Sequence, residues 1–251
     1  MARGDRHVEL VDVTLAYGSF VIQQGLSFTI NRGDVFIIMG GSGCGKSTLM
    51  RSLAGLLAPS TGRILYDGVS FWELPESERT RRMRHLGVMY QSGALWSSMT
   101  LRQNVELPLE QYTDLSPRQI REIAAYKLAL VGLNGFDDFY PSEISGGMCK
   151  RVGVARAMAL DPEILFFDEP SAGLDPVSGR LLDELILELR DSLGTTMVMV
   201  THDLASIFTV ADDSVFLDPE TKTMLTTGDP RKLRDHSEIG KVRTFLTRGE
   251  T

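Results

Sequence analysis

The apolar run Val35-Phe36-Ile37-Ile38-Met39 leads straight into Gly40-Gly41-Ser42-Gly43-Cys44-Gly45-Lys46-Ser47-Thr48, and no other stretch restricts the possible folds so tightly. The apolar residues predict a buried strand and the glycines a tight turn. A helix is expected to open at Lys46 and Ser47 and to run to about Leu57, just before Pro59. The spacing G-x-x-x-x-G-K-[ST] suits a nucleoside triphosphate. Successive backbone N–H groups in a glycine turn point inward and form a nest for an anion, an approach that side chains would block. Lys46 can reach the β- and γ-phosphates, the helix dipole adds positive potential, and the Ser47 hydroxyl can ligate Mg²⁺. Cys44 lies at the same helix start, where the dipole is expected to lower its thiol pKa and where alkylation is expected to block nucleotide binding.

A chain of 251 residues can bury a sizeable core and fits one large domain or two small ones. No apolar run approaches the roughly 20 residues that span a bilayer, so the chain is not expected to cross a membrane by itself. After Met1-Ala2-Arg3-Gly4-Asp5-Arg6 the sequence alternates rather than forming a long apolar region, so no secretory signal is expected. The cytoplasm is the expected compartment, and two cysteines, Cys44 and Cys149, without a framework of bridges suit it. A net charge of −7 argues against wide contact with a phosphate backbone, so no nucleic-acid partner is expected.

His7 to Tyr17 alternates apolar and polar residues, and Phe20 to Ile30 continues with strand formers, which predicts an antiparallel pair at the edge of the core. Tyr17 falls at the turn between them, where its ring could stack on a purine or simply pack. Gly62 to Gly68 reads as a short strand. Glu76 to His85 carries Arg79, Arg81, Arg82 and Arg84 among few apolar residues and reads as a solvated helix face. Leu86 to Gln91 reads as a buried strand ending on a polar residue, which makes Gln91 a candidate ligand contact. From Ser92 to about Tyr140 helical spacing dominates, including Ser116 to Val131 opened by Ser116-Pro117. Ser145-Gly146-Gly147 then offers a second anion-binding turn before a helix over about Gly147 to Leu160.

Ile164-Leu165-Phe166-Phe167-Asp168-Glu169 predicts a central strand with two carboxylates at its end. Buried carboxylates without partners are costly, and a metal and a water would relieve that cost. Asp168 is the candidate Mg²⁺ holder and Glu169 the candidate base for an attacking water. Asp175-Pro176 starts an amphipathic helix over Val177 to Leu193, and Thr195 to Thr201 is strand-like with His202 after its end. Leu204 to Val210 reads as a helix, Ser214 to Leu217 as a strand and Asp229 to Phe245 as a helix. The strand-end position makes His202 a candidate γ-phosphate sensor.

Along nearly its whole length the chain resembles the ATPase subunit of ABC transporters. The resemblance rests on the phosphate loop Gly40 to Thr48, Gln91 (Q-loop), Ile144-Ser145-Gly146-Gly147-Met148 (signature), Ile164 to Glu169 (Walker B) and His202 (switch histidine), in the family's order. It implies an α/β fold: a P-loop NTPase (RecA-like) core with an antiparallel β edge and an inserted helical subdomain. A single ABC ATPase domain over 1–251 would then comprise a core of 1–91 and 161–251 and a helical subdomain of 92–160. Tyr17 matches the aromatic A-loop position and Asp175 the D-loop aspartate. ATP and Mg²⁺ are the implied ligands, with Gln91 joining Ser47 and Asp168 at the metal and Lys46, Gln91, Glu169 and His202 serving hydrolysis. In that family two ATPase domains face head to tail, and the signature of one completes the phosphate site of the other. One phosphate loop per chain therefore implies a second copy. Ile144 and Met148 depart from the usual Leu and Gln of the signature, but the backbone donors of Ser145 to Gly147 do not depend on them.

A closer resemblance, carried by ISGGMCKRVGVARAMALDPEILFFDEPSAGLDP, YQSGALWSSMTLRQNVELPL and RTFLTRG, is to the ATPases of bacterial MCE-type phospholipid transporters, the Mla class. It implies a peripheral protein on the cytoplasmic face of the inner membrane. Its partners would be an inner-membrane permease, an MCE-domain lipid-binding protein and a small regulatory subunit. An ABC ATPase serving another substrate, and a soluble one such as that of iron–sulfur assembly, are the alternatives.

Overall fold

The computed structural model describes residues 4–91 and 93–248. Ser92, the expected start of the helical insertion, Gly249 at the end of RTFLTRG, and Met1 to Arg3 of the expected leaderless start lie outside the described residues.

Strands β1 (Arg6–Tyr17) and β2 (Phe20–Asn31) form the expected antiparallel hairpin, and β3 (Val35–Gly40) is buried at every position. Helix α1 (Lys46–Leu53) is shorter than expected. Gly55 takes φ +76°, its amide and that of Leu56 turn back onto the carbonyls of Ser52 and Arg51, and this C-terminal cap ends the helix. Strands β4 (Thr61–Tyr66) and β5 (Val69–Ser70) follow, then α2 (Glu76–Met83), which buries none of its residues, as its arginines predicted. Strand β6 (Leu86–Met89) stops two residues before Gln91.

Among the described residues, three α-helices and a 3-10 turn (Pro141–Glu143) lie between β6 and the next strand: α3 (Leu101–Tyr112), α4 (Pro117–Leu130) and α5 (Gly146–Ala157). Reciprocal capping boxes, Thr100 with Gln103 and Ser116 with Gln119, fix the starts of the first two. The three pack on one another through Val105, Leu109, Ile120, Ala124, Leu128 and Val152. Strand β7 (Ile164–Asp168), α6 (Pro176–Leu193), β8 (Thr196–Val200), α7 (Leu204–Val210) and β9 (Asp213–Asp218) complete the alternation. The sequence reading missed β10 (Thr223–Thr227), a half-buried strand paired with β9. It also expected one helix where there are two, α8 (Pro230–His236) and α9 (Gly240–Leu246). Ser237 leaves the helical conformation between them, because α9 turns to bury Val242 and Leu246 and to set Phe245 edge-on to Phe216.

The strands form two sheets, β2-β1-β4-β5 and β10-β9-β3-β8-β7-β6. In the larger one β9, β3, β8, β7 and β6 are parallel and β10 antiparallel. Alternate residues of its inner strands face opposite ways, so both faces are buried. Ile37, Met39, Leu165, Phe167, Met197 and Met199 face α3 to α7 and α9, whereas Phe36, Ile38, Phe166, Val198 and Val200 face α1 and the smaller sheet. With the strands parallel, the turns after β3, β6, β7 and β8 all leave the sheet at one rim, the place where an open α/β sheet holds a ligand.

Candidate active site

The turn after β3 is glycine-rich for reasons inside the chain. Gly40, Gly43 and Gly45 take φ of +144°, +73° and +93°. A Cβ on Gly40 would lie 2.3 Å from the Leu217 carbonyl oxygen, and one on Gly45 would lie 2.5 Å from Ile22 Cγ2. Helix α1 starts at Lys46 with no side-chain cap and no acid in its first turn, which leaves its amides and dipole to an anion. Lys46 Nζ donates to the carbonyls of Gly40 and Gly41, at 2.9 Å each, and so braces the loop. Gly41, Lys46, Ser47 and Thr48 are half-buried, and Ser42 and Gly43 are exposed.

Cys44 is 1% exposed behind the loop, and burial pushes its thiol up rather than down. Lys46 Nζ, 3.9 Å from Cys44 Sγ, pulls the other way without prevailing. The expected activated thiol is therefore corrected: desolvation outweighs the helix dipole. The sequence reading also missed Gln23, fully buried in β2, whose Nε2 donates to the Cys44 carbonyl at 2.8 Å and the Asp218 carbonyl at 3.1 Å. It ties the loop to the end of β9, and no sequence signal separates it from the exposed Gln24 beside it. Just beyond Ile22 the hairpin tip carries Tyr17, 48% exposed, opposite Phe20.

Strand β8 separates β3 from β7, yet the turns bring their side chains together. Ser47 Oγ and Asp168 Oδ1 are 3.4 Å apart, too long for a good hydroxyl–carboxylate hydrogen bond. Two hard oxygens facing one another in this way fit a Mg²⁺ ion, which prefers oxygen ligands. Glu169 takes φ +49°, uncommon for a side chain with a Cβ. Its amide donates to the Val200 carbonyl at 2.8 Å, and its Oε1 accepts from His202 Nδ1 at 2.8 Å. The Glu169 side chain is 16% exposed and that of His202 69%, so the histidine covers the carboxylate from the solvent side. Glu169, Ser171, Gly173, His202 and Asp203 line a cleft whose wall includes Arg248, which the sequence placed in RTFLTRG but not at the site. Gln91 is exposed beyond β6, and among the described residues no hydrogen bond joins its side chain to Ser47 or Asp168.

Asp175 caps α6, accepting from the amides of Val177 and Ser178 and from the Ser178 hydroxyl, and these bonds hold its carboxyl below the usual carboxylate range. The same region touches the other glycine turn. Ser145 caps α5 by accepting from the Met148 amide at 3.3 Å, and Ile144 and Met148 turn their side chains onto the core. Neither Gly146 nor Gly147 takes a positive φ, and added Cβ atoms would meet Leu174 at 4.0 Å and Ser178 at 3.6 Å, ordinary contacts. Ser145 and Gly146 are exposed, and among the described residues no hydrogen bond or ion pair joins this turn to the phosphate loop.

An uncapped helix start behind a glycine nest, a lysine over it, paired oxygens, and a carboxylate–histidine pair at the carboxyl ends of parallel strands define a P-loop nucleoside triphosphatase. The family model for the ABC transporter matches residues 23–172, and the chain belongs to that family, as its ATP-binding cassette. It is 37% identical over 239 residues to the intermembrane phospholipid transport system ATP-binding protein MlaF of Escherichia coli, covering 95% of this chain and 88% of that protein. It is 40% identical over 239 residues to the probable ribonucleotide transport ATP-binding protein mkl of Mycobacterium tuberculosis, and spans 66% of that protein's length. Among solved structures, cbiO1 from Clostridium perfringens superposes with a TM-score of 0.85 at 28% identity over 97% of each chain. A dimeric ATP-binding cassette in a post-hydrolysis state with ADP and Pi gives 0.79 at 30% identity, covering 88% of this chain and 98% of that one.

Proposed function

We propose that this protein hydrolyses MgATP between two of its copies and thereby drives an inner-membrane permease that moves phospholipid between the inner and outer membranes. The observation that carries the hydrolytic reading is the Glu169–His202 pair at 2.8 Å, at the same strand ends as the Ser47–Asp168 oxygens. The loop amides and Lys46 bind and orient the triphosphate and stabilise charge on it. Ser47 and Asp168, joined by Gln91, would hold a Mg²⁺ ion, which would supply neutralisation of phosphate charge. Glu169 takes the proton of the attacking water, a role worth roughly 10²–10⁴-fold. His202, already on Glu169, holds that carboxylate in place and meets the γ-phosphate. Tyr17 stacks on the base.

The signature turn supports the two-copy reading. Its glycines are not required by any neighbour within the chain, so their missing side chains serve something that approaches from outside. In a head-to-tail pair, that visitor is the γ-phosphate held by the other copy. Residues 1–91 and 161–251 act as the nucleotide-binding core, and 92–160 as the helical part that carries the signature across.

Phospholipid is the preferred cargo because the match to the phospholipid-transport relative runs over 88% of its length, against 66% for the ribonucleotide-transport relative. The higher identity of the latter, 40% against 37%, makes a permease for a ribonucleotide the second reading. An MCE-domain lipid-binding protein and a small regulatory subunit complete the proposed complex on the cytoplasmic face of the inner membrane. Mass spectrometry of the tagged protein, purified from membranes in mild detergent, tests this. A permease with an MCE-domain protein and phospholipid supports it, and a permease with a ribonucleotide-binding partner replaces the cargo.

A further inference from the structure

Helix α5 directs one buried and one half-buried cation at neutral backbone. Lys150 is 6% exposed, and its Nζ donates to the Gln91 carbonyl. Six residues on, Arg156 Nη2 donates to the Gly93 carbonyl at 2.7 Å and Nη1 to the Ala94 carbonyl at 2.8 Å. Among the described residues neither forms an ion pair. Burial pushes both pKa values down, and the Glu169 field pulls that of Lys150 partly back. An apolar side chain in either place would be cheaper to bury. What a cation adds is direction: charge-assisted hydrogen bonds fix the carbonyls they reach.

The residue midway between them completes the contact. Positions 150, 153 and 156 recur every three residues and so form one slanted stripe on the helix. A Cβ on Gly153 would lie 3.1 Å from Gly93 Cα, and one on Gly93 would lie 3.2 Å from the Cys149 carbonyl oxygen. The two backbones therefore touch directly between the two cationic ties.

We propose that Lys150 and Arg156 are positioning residues that lash the chain leaving β6 to the helix carrying Ser145-Gly146-Gly147, so that Gln91 moves with the signature turn as one body. The proposal rests on the reading of Gln91 as a contact of the MgATP site. When a second copy's phosphate draws the signature turn inward, Gln91 is carried with it. A displacement near 1 Å at such a site costs up to about 10²-fold in rate.

The test compares Lys150→Met, Lys150→Arg and Gly153→Ala in the full chain. Gly153→Ala keeps both cations and favours the helix, so it folds even if the loss of Lys150 destabilises the protein. Two quantities are measured: MgATP turnover, and the Mg²⁺ concentration that half-saturates binding of a fluorescent ATP analogue. Lys150→Met and Gly153→Ala are expected to lower kcat about tenfold or more with KM for ATP within about threefold, and to raise the Mg²⁺ midpoint. Lys150→Arg, which keeps a cation in reach of the carbonyl, is expected to restore both. Unchanged kcat and Mg²⁺ midpoint in Lys150→Met and Gly153→Ala would overturn the proposal. If the wild-type chain binds MgATP without hydrolysing it, the hydrolytic reading fails, and the Mg²⁺ midpoints still decide the lashing.

Discussion

The chain carries two glycine turns at helix starts, and they are glycine-rich for opposite reasons. Around Gly40 and Gly45 the constraint is internal, because the Leu217 carbonyl and Ile22 leave no room for a Cβ and the backbone sits at positive φ. Around Gly146 and Gly147 the interior leaves ordinary room, and the backbone is plain helix. The first turn is a finished cradle braced by Lys46 and Gln23; the second, in the function proposed above, is one half of a site. Glycine required by the fold and glycine required by a visitor look alike in sequence and separate only once neighbours are placed.

The comparison can be broken most forcefully at the chemistry it frames. Glu169→Gln should bind MgATP and pair with a second copy while turnover falls roughly 10²–10⁴-fold. Near wild-type turnover would remove Glu169 as the base. Next, Gly40→Ala should destabilise the protein by about 2–4 kcal/mol in urea unfolding and abolish nucleotide binding, since a Cβ there has no room. A variant as stable as the wild type would show that the loop is not internally constrained.

A titration sharpens the contrast, because its side chain belongs to neither turn. Asp183 on α6 is buried, accepts from the Ser206 hydroxyl, and is pushed by burial from 3.8 up to about 6. The folded state thus keeps a proton the unfolded state has lost, so this group's contribution to stability falls as pH rises from about 4 through 6. Asp183→Asn should remove that slope and gain about 1–2 kcal/mol at pH 7.5, read from unfolding midpoints at several pH values. The smallest shift in stability belongs to Gly147→Ala, expected within about 0.5 kcal/mol of wild type although turnover falls about tenfold. Equal loss of stability and turnover would place it with Gly40 instead.

Much of this was legible in the sequence because strands buried on both faces read as unbroken apolar runs. Val35 to Met39 and Ile164 to Phe167 carry the phosphate loop and the two carboxylates at their ends. Ser116-Pro117 and Asp175-Pro176 announced their helices through the same cap chemistry that the structure uses. What stayed hidden lay in a helix cap, a hairpin and burial that the local apolar pattern does not show. Gly55 stops α1 where apolar periodicity suggested continuation, and β10 is a half-buried strand whose pairing with β9 no local pattern announces. Cys44 shows a local rule overridden by burial, and Lys150 looks like any polar residue of a helix until its carbonyl partner is seen.

The claim that each nucleotide site is built from two copies is tested most directly by mixing. Lys46→Ala damages the cradle and Gly147→Asp the signature turn, and each variant alone should be inert. Random pairing makes about half the pairs mixed, each with one intact composite site of its two, so the equimolar mixture should recover about a quarter of wild-type turnover. A mixture as inert as its components would contradict the shared site.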